Sequence, residues 1–369
     1  MISDPMEQLD FPNRKSKIRK YKEAGRIAGK ALNKLIDMIK PGVKIYDLCI
    51  YGDNYILEEV SKIYPNLNKK KNRRGKLKKN EKGIAFPTCI SINNIAGHFS
   101  PHSNDLTTIA TGDLVKIELG VHIDSFPAMI AYTVVVTDGE MVDKVTESSD
   151  KEKEKVVRAV YEAGRRIIKI MKPGIWNTDI VKILCDCAKQ YNCSLPSIKT
   201  NIYTPGTFSY QMSRFVIDSY GDDDETPHHY IFAKDLPFLD YSLCKLKLEK
   251  NEVYAIDIVM ASKKGKMYTS NELTTVYRLV PETKAHLTKS GNIVRESFRN
   301  YRFPLKYTNK NRYGLKECIN KKVIEPYHII KGSNNEYIAR LKFTVIVDNE
   351  PILITGKSLN EQLAKFNNN

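Results

Sequence analysis

The stretch Lys40-Pro-Gly-Val-Lys-Ile-Tyr-Asp-Leu48 returns later in the chain as Lys172-Pro-Gly-Ile-Trp-Asn-Thr-Asp-Ile180. Each copy follows a run in which apolar residues recur every three or four positions, as on one face of an amphipathic helix. Pro-Gly is typical of a helix end, because proline lacks an amide hydrogen and glycine tolerates a left-handed backbone. An aspartate favours the first turn of the next helix. The sequence therefore predicts the same helix–turn–helix unit twice.

A second pair of similar stretches follows these units in the same order. Gly112-Asp-Leu-Val-Lys-Ile-Glu-Leu119 resembles Asn251-Glu-Val-Tyr-Ala-Ile-Asp-Ile258, and both patterns predict strands. Each carries an acidic residue at the same place, namely Glu118 and Asp257. Two repeats in one order indicate an internal duplication. We therefore expect an α+β fold of two halves related by a pseudo-two-fold axis, with Glu118 and Asp257 at equivalent places.

Composition shifts along the chain predict its organisation. The predicted segments are an N-terminal arm (1–18), a first α+β half (19–145) with a basic loop (69–82), a second α+β half (150–357) with a basic insertion (about 283–322), and a short C-terminal tail (358–369). The insertion is inferred because a mixed, basic stretch interrupts the second half before the strand-like run 336–347.

The composition predicts a soluble intracellular protein. With 369 residues, 41% of them hydrophobic, the chain can form a substantial core. Its amino terminus lacks the pattern of a secretory leader, and no apolar run is long enough to span a membrane. Seven scattered cysteines favour reduced thiols in the cytoplasm. As separate expectations, the protein has an additional nuclear or nucleolar pool and is a monomer. Cys185, Cys187 and Cys193 are interpreted as core thiols rather than a metal knuckle.

The net charge of +16 is concentrated in three segments. Residues 14–20 carry +5, residues 69–82 carry +8 and residues 295–322 carry +7, so the rest of the chain has a small net negative charge. Clustering of this kind is typical of a protein that binds a polyanion.

Two of these segments supply the candidate RNA-binding residues. The cations are Lys69, Lys70, Lys71, Arg73, Arg74, Lys76, Lys78, Lys79, Arg295, Arg299, Arg302, Lys306, Lys310, Arg312 and Lys316. In the second segment they alternate with Phe298, Tyr301, Phe303, Tyr307 and Tyr313, whose rings could stack on exposed bases. Two alternatives stay open: residues 69–82 as a solvated loop or nuclear-localisation signal, and 295–316 as an insertion whose rings pack inward.

Five motifs in a fixed order give the chain a family resemblance. They are Phe86-Pro-Thr88, Gly97-His-Phe-Ser-Pro101, Leu114-Val-Lys-Ile-Glu-Leu-Gly-Val-His122, Glu252-Val-Tyr-Ala-Ile-Asp257 and Leu341-Lys-Phe-Thr-Val345. From about residue 19 to 357 the chain resembles the type 2 methionine aminopeptidases, and more closely their proliferation-associated (ErbB receptor-binding) relatives. The resemblance implies the pita-bread fold, in which two α+β halves surround a central cleft, in agreement with the duplication.

The resemblance also implies where the metal ligands of the enzymes would fall. Glu118 stands for the first ligand Asp and Asp257 for a ligand Glu, so two positions keep a carboxylate. The other positions carry Met129 for the second Asp, Tyr210 for the His and Lys342 for the last Glu. A thioether and a neutral phenol are poor ligands for such metals, and an ammonium group repels them. His98 matches a catalytic histidine, and Asp218 replaces a second one.

These replacements predict a pseudoenzyme that holds neither metal nor cofactor. We expect Lys342 either to point to solvent or to pair with Glu118 or Asp257 in place of the metal charge. His98 is interpreted as either a structural histidine or a remnant of function.

The related branch is linked to ribosomes, so the predicted partner is the large ribosomal subunit or structured RNA, besides protein partners. The predicted roles are ribosome biogenesis, translation or growth regulation. The alternatives are an aminopeptidase with an altered metal site and a nuclear transcriptional regulator acting through protein or DNA contacts.

Overall fold

The computed structural model describes residues 14–65, 81–137, 150–196, 208–217, 229–232, 245–280, 283–298 and 303–355. No helix in these ranges has the length and apolar character needed to cross a lipid bilayer.

Two helix pairs form where the repeated Lys-Pro-Gly stretches predict them. Helix α1 (Arg14–Met38) is followed by α2 (Ile45–Ser61), and α3 (Lys151–Ile170) by α4 (Asn177–Gln190). The glycines between the helices, Gly42 and Gly174, have φ values of 85° and 88°, in the region that other residues disfavour. The predicted turn residues therefore perform the same conformational task in both halves.

One sheet joins the two halves. Its strands are β1 (Lys82–Ile92), β3 (Leu114–Ile123), β4 (Phe126–Val135), β5 (Phe208–Met212), β6 (Tyr230–Phe232), β7 (Val253–Ala261), β13 (Ile338–Ile346) and β14 (Ile352–Leu353). Their order is β1-β3-β4-β13-β7-β5-β6, with β14 paired to β13. Helices α1 and α2 pack on the first three strands, and α3 packs on β13 and β7. The repeated strands β3 and β7 thus lie on either side of a central pair, β4 and β13.

The central strand pair is joined through two threonine hydroxyls. The only direct backbone register between these strands in the described residues is Lys342 opposite Ala131. On one side of it, Thr133 Oγ1 accepts the Arg340 amide and donates to the Arg340 carbonyl, at 2.8 and 2.7 Å. On the other, Thr344 Oγ1 makes the same two bonds to Met129, at 2.8 and 3.1 Å. This reciprocal arrangement fixes the register of the two halves.

The predicted insertion leaves the second half and returns to it on neighbouring strands. Strands β9 (Val276–Leu279) and β11 (Ile324–Pro326) are paired, and between them lie α5 (Lys289–Phe298), β10 (Leu305–Lys306) and α6 (Arg312–Asn320). The segment has a small core of its own, which includes Val294, Phe298 and Cys318. The remaining strands, β2 (Ile95–Gly97), β8 (Met267–Thr269) and β12 (Ile330–Gly332), form a separate small sheet.

Some predicted boundaries differ from the structure or cannot be compared with it. Residues 14–18, assigned above to an arm, are the first residues of α1. Two cations of the basic segment 14–20 form ion pairs within the protein: Arg14 pairs with Asp348, and Lys20 pairs with Asp124. Residues 69–80 of the predicted basic loop and the predicted tail 358–369 lie outside the described residues.

Candidate functional site

The sheet brings three of the predicted metal-ligand positions into one row. Glu118 on β3 lies opposite Ala131, which lies opposite Lys342 on β13, which lies opposite Asp257 on β7. Directly opposed residues point to the same face of a sheet, so the three side chains converge. The helices lie on the other face, where Gly164 of α3 approaches Leu341. Lys342 has an exposed fraction of only 3%, which rules out the expectation that it points to solvent.

Arg340, two residues before Lys342 on the same strand, occupies the centre of this site. Its Nη1 and Nη2 atoms donate to the two oxygens of Glu118 at 2.6 and 2.7 Å. Its Nε and Nη2 atoms donate to the two oxygens of Asp257 at 2.8 and 2.7 Å. Both carboxylates are therefore held in the bidentate geometry that guanidinium groups favour.

Lys342 closes the cluster. Its ammonium lies 2.8 Å from Glu118 Oε1 and 3.1 Å from Asp257 Oδ2, so the expected ion pair of Lys342 is present with both carboxylates. The same ammonium lies 3.4 Å from the hydroxyl of Tyr210. Two anions and two cations thus balance in a place where each residue is at most 3% exposed.

The electrostatics favour four ionised groups. Burial by itself would raise the pKa of both carboxyl groups, but the charges of Arg340 and Lys342 outweigh it and hold the pKa of Glu118 and Asp257 below their usual values. Burial and the neighbouring guanidinium lower the pKa of Lys342, whereas the negative charges of Asp257 and Glu118 raise it. The carboxylates have the larger effect, so the pKa of Lys342 lies above the usual lysine value. Glu118, Asp257, Arg340 and Lys342 are hereafter called the ionic cluster.

Met129 lies beside the ionic cluster as part of the core. It is opposite Gly120 on β3, and a side chain at Gly120 would meet the Met129 sulfur at 2.5 Å. Its backbone is held by Thr344, and its side chain is 1% exposed. The position therefore fills space between two strands.

His98 has a structural environment. Its Nδ1 lies 2.9 Å from the carbonyl oxygen of His328, and its ring contacts Phe86 and Tyr327 with centroids 5.7 and 5.5 Å away. Burial lowers the pKa of His98 to about 4, so the ring is neutral at neutral pH. Of the two expectations for His98, the geometry favours the structural one. Asp218 lies outside the described residues.

The ionic cluster does not fit the metal pair that the resemblance implies. Both carboxylates already accept bonds from two cations, and a divalent ion placed between them would be repelled by Arg340 and Lys342. Within the described ranges, no three His, Cys, Asp or Glu side chains are grouped so that they could bind a metal ion. The donor set suits an internal ion network rather than a Lewis-acid centre.

The candidate RNA-binding cations are found in different environments. Lys310, Arg312 and Lys316 are exposed on and before α6, and the Tyr313 ring between them is 89% exposed. Arg295 is half-buried and donates to Asn292 at 2.7 Å. The remaining candidates, Lys69, Lys70, Lys71, Arg73, Arg74, Lys76, Lys78, Lys79, Arg299 and Arg302, lie outside the described residues.

Two expectations for the insertion need correction. The ammonium of Lys306 is buried and lies 5.2 Å from the Tyr46 ring centroid, which does not suit a surface contact with phosphate. Phe298, Phe303 and Tyr307 are at most 5% exposed, so they cannot stack on bases. Phe303 instead packs on His122 of β3, with ring centroids 4.4 Å apart. For these three rings the inward-packing alternative holds. Burial removes their aromatic surface from water, which stabilises the fold.

Arg340 is the residue that sequence reasoning missed. Arg340 is not at a position where the resemblance places a metal ligand, so the resemblance does not identify it. A periodicity of two along β13 could have identified it, because residues 340 and 342 share a strand face. An arginine and a lysine side by side on one face of a buried strand require two buried anions.

Comparison with known proteins extends these observations. Residues 19–265 match the model of metallopeptidase family M24. The chain is 31% identical over 353 residues to ErbB-3 binding protein 1 of Solanum tuberosum, covering 93% of this chain and 82% of that protein. Among solved structures it is similar to a thermophilic Arx1, with a TM-score of 0.75 and 20% identity over 95% of this chain and 97% of the other.

A methionine aminopeptidase from Rickettsia prowazekii shares the fold at a lower level. Its TM-score is 0.57, with 15% identity over 92% of this chain and 97% of that chain. These similarities confirm the predicted pita-bread fold of two α+β halves.

Proposed function

The chain belongs to metallopeptidase family M24, and from that membership we propose that it is a catalytically inactive member that binds ribosomes or structured RNA. The observation that carries the first part is the ionic cluster. The catalytic chemistry of a metallopeptidase needs a metal that polarises the carbonyl group and activates water. Here Arg340 and Lys342 already neutralise the two carboxylates, and all four residues are buried.

Metal content tests the loss of catalysis. After purification in cobalt or manganese, the protein is expected to contain far less than one metal ion per chain and to leave a methionine-initiated peptide uncleaved. The reason is the repulsion of a divalent cation by Arg340 and Lys342. Elemental analysis and a peptide-cleavage assay measure the two quantities, with an active methionine aminopeptidase treated identically as the control. A stoichiometric metal pair would establish the alternative, an aminopeptidase with an altered site.

The second part of the proposal is supported by the charge distribution and by the exposed end of the insertion. Lys310, Arg312 and Lys316 are exposed and lie within three residues of the exposed Tyr313 in the sequence. Cations on a surface neutralise phosphates, and an exposed ring can stack on an unpaired base. The basic stretch 69–79 is proposed to contribute further cations.

Ribosome binding tests this part. Replacing Lys310, Arg312 and Lys316 by glutamine is expected to weaken co-sedimentation with large ribosomal subunits about tenfold and to lower the salt slope of binding by about 2. The measurement is sedimentation of the protein with subunits over a series of salt concentrations. A second variant neutralises the basic residues of 69–79 separately.

A matched control uses three other exposed lysines of the second half. Lys263, Lys264 and Lys266 are exposed in the segment before β8, and replacing them by glutamine removes the same charge. We expect nearly unchanged binding for this control. Binding by the natural chain that does not depend on salt would contradict the proposal, and salt-dependent binding to duplex DNA alone would favour the nuclear-regulator alternative.

Cytoplasmic localisation with a nuclear or nucleolar pool and the monomeric state remain predictions.

A further inference from the structure

A short two-stranded ladder occurs once in each half. In the first half, the Gly42 amide donates to the Ile109 carbonyl, the Ile109 amide to Val43 and the Ile45 amide to Thr107, at 2.8, 2.9 and 3.0 Å. In the second half, the Gly174 amide donates to Leu248, the Leu248 amide to Ile175 and the Asn177 amide to Leu246, at 2.9, 2.8 and 3.0 Å. The duplication has therefore preserved the same backbone structure twice.

The side chains on the two ladders differ in a specific way. The first ladder carries Lys44, Leu106 and Thr108 where the second carries Trp176, Lys245 and Lys247. Because the first ladder forms without them, an indole and two ammonium groups are not required by the backbone structure. Their presence in the second half calls for another explanation.

Trp176, Lys245 and Lys247 form a compact group on the surface, hereafter called the Trp176 platform. The ammonium groups of Lys245 and Lys247 lie 4.6 and 4.9 Å from the indole ring centroid. Residues 245 and 247 alternate along an extended segment, so their side chains leave it on the same side. Both lysines are exposed and Trp176, the only tryptophan of the chain, is half-buried.

Within the ranges that the structure describes, no carboxylate pairs with the lysines of the Trp176 platform. Among the described residues, neither Lys245 nor Lys247 forms an ion pair, and both ammonium groups lie next to the indole ring. The nearby carboxylate of Asp179 accepts the Trp176 amide at 3.1 Å and thereby caps α4. The attraction of an exposed ammonium for an aromatic ring is weak, so an anion can draw both lysines toward itself.

The ladder also holds the backbone that carries the Trp176 platform. Trp176 and Lys247 are paired as an isolated bridge, and the side chain of Asn177 accepts the Leu246 amide at 3.2 Å. A ligand that binds there would not need to order the backbone, which lowers the entropic cost of binding.

We propose that the Trp176 platform is a second binding site for single-stranded RNA, with Lys245 and Lys247 at phosphates and the indole stacked on an unpaired base. An acidic peptide would use the lysines but leave the indole without a role, and a duplex would not offer a free base. The inference rests on the proposed RNA-binding function and adds a site remote in sequence from the basic insertion.

Because Trp176 is the single tryptophan, its fluorescence reports on this site without a label. Titration with an unstructured oligouridylate is expected to quench the emission in a saturable way that salt reverses. Replacing Lys245 and Lys247 by glutamine should weaken binding of the oligonucleotide about tenfold, so that the quenching requires about tenfold more oligonucleotide, and should lower the salt slope by about 1.4. Anisotropy of a dye-labelled oligouridylate measures the affinity independently of the tryptophan.

The first ladder offers the matched control. Lys40 and Lys44 are exposed at the equivalent turn, and replacing both by glutamine removes the same charge while leaving the quenching unchanged. An equal loss of affinity in the two double variants would show that binding depends on the overall charge of the protein, and it would overturn the proposed site. Equal quenching by polyglutamate or by duplex RNA would likewise overturn it.

The same titration separates this inference from the proposed function. If the protein sediments with large ribosomal subunits but Trp176 emission does not respond to oligouridylate, the platform is wrong and RNA binding stands. If neither sedimentation nor fluorescence responds, both fail. Quenching that depends on Lys245 and Lys247 but not on Lys40 and Lys44 supports the inference.

Discussion

Replacing Arg340 by methionine is expected to lower the free energy of unfolding by about 3–5 kcal/mol, because it leaves two buried carboxylates with a single cation. Arg340 makes four hydrogen bonds to Glu118 and Asp257, all between 2.6 and 2.8 Å. Methionine fills part of the volume but donates nothing, so the carboxylates lose these donors in a place from which water is excluded. Urea unfolding followed by circular dichroism measures the change.

Two further variants keep this prediction testable if the methionine variant folds poorly. Arg340→Lys retains a cation but cannot serve both carboxylates in bidentate fashion, so we expect an intermediate loss. Arg158→Met removes an ion pair to Glu154 on the surface of α3, where such pairs contribute at most about 1 kcal/mol. A loss for Arg340→Met no larger than that of Arg158→Met would show that the cluster has no special importance for stability.

Replacing Lys342 by methionine is expected to cost about 3 kcal/mol, since it leaves the cluster with an excess negative charge. Lys342 contacts both carboxylates, at 2.8 and 3.1 Å, and has the hydroxyl of Tyr210 as a third neighbour. Thermal and urea unfolding of the variant measure the loss. An unchanged melting temperature would contradict the role of Lys342 as the replacement for a metal charge.

A charge-balanced double variant shows whether the loss is electrostatic. Glu118→Gln combined with Lys342→Met leaves Arg340 and Asp257 as a neutral pair, so the double variant should be more stable than the sum of the two single changes predicts. We expect the coupling to reach about 1–3 kcal/mol, as for residues of one buried network. Additive losses would mean that Lys342 stabilises the protein through packing alone.

Local sequence patterns were sufficient to predict much of the architecture. Apolar spacing and the two Lys-Pro-Gly turns predict the helix pairs, because helix formation and termination depend on neighbours within a few residues. The matching acids Glu118 and Asp257 predict equivalent strands, and β3 and β7 occupy these places. The resemblance supplied the positions of Met129, Tyr210 and Lys342, which local pattern could not identify as a group.

The environment of the insertion residues required the structure. Phe303 and Tyr313 are aromatic residues in the same basic stretch, yet one packs on His122 and the other is 89% exposed. Lys306 and Lys310 are likewise similar in sequence context, but the ammonium of Lys306 is buried near Tyr46. Local sequence predicts the composition of a binding surface, whereas its orientation depends on which residues of the other half lie nearby.

The duplicated helix–turn–helix units, the two acidic strands and the predominance of positive charge all follow from local patterns in the amino-acid sequence. The position of Arg340 between Glu118 and Asp257, which are 222 and 83 positions away in the chain, depends on long-range packing. The physical reason is the register of the central strands: Thr133 and Thr344 hold β4 and β13 so that Lys342 faces Ala131. A shift of one residue would turn Arg340 and Lys342 to the helix-covered face, where no carboxylate of the cluster could reach them.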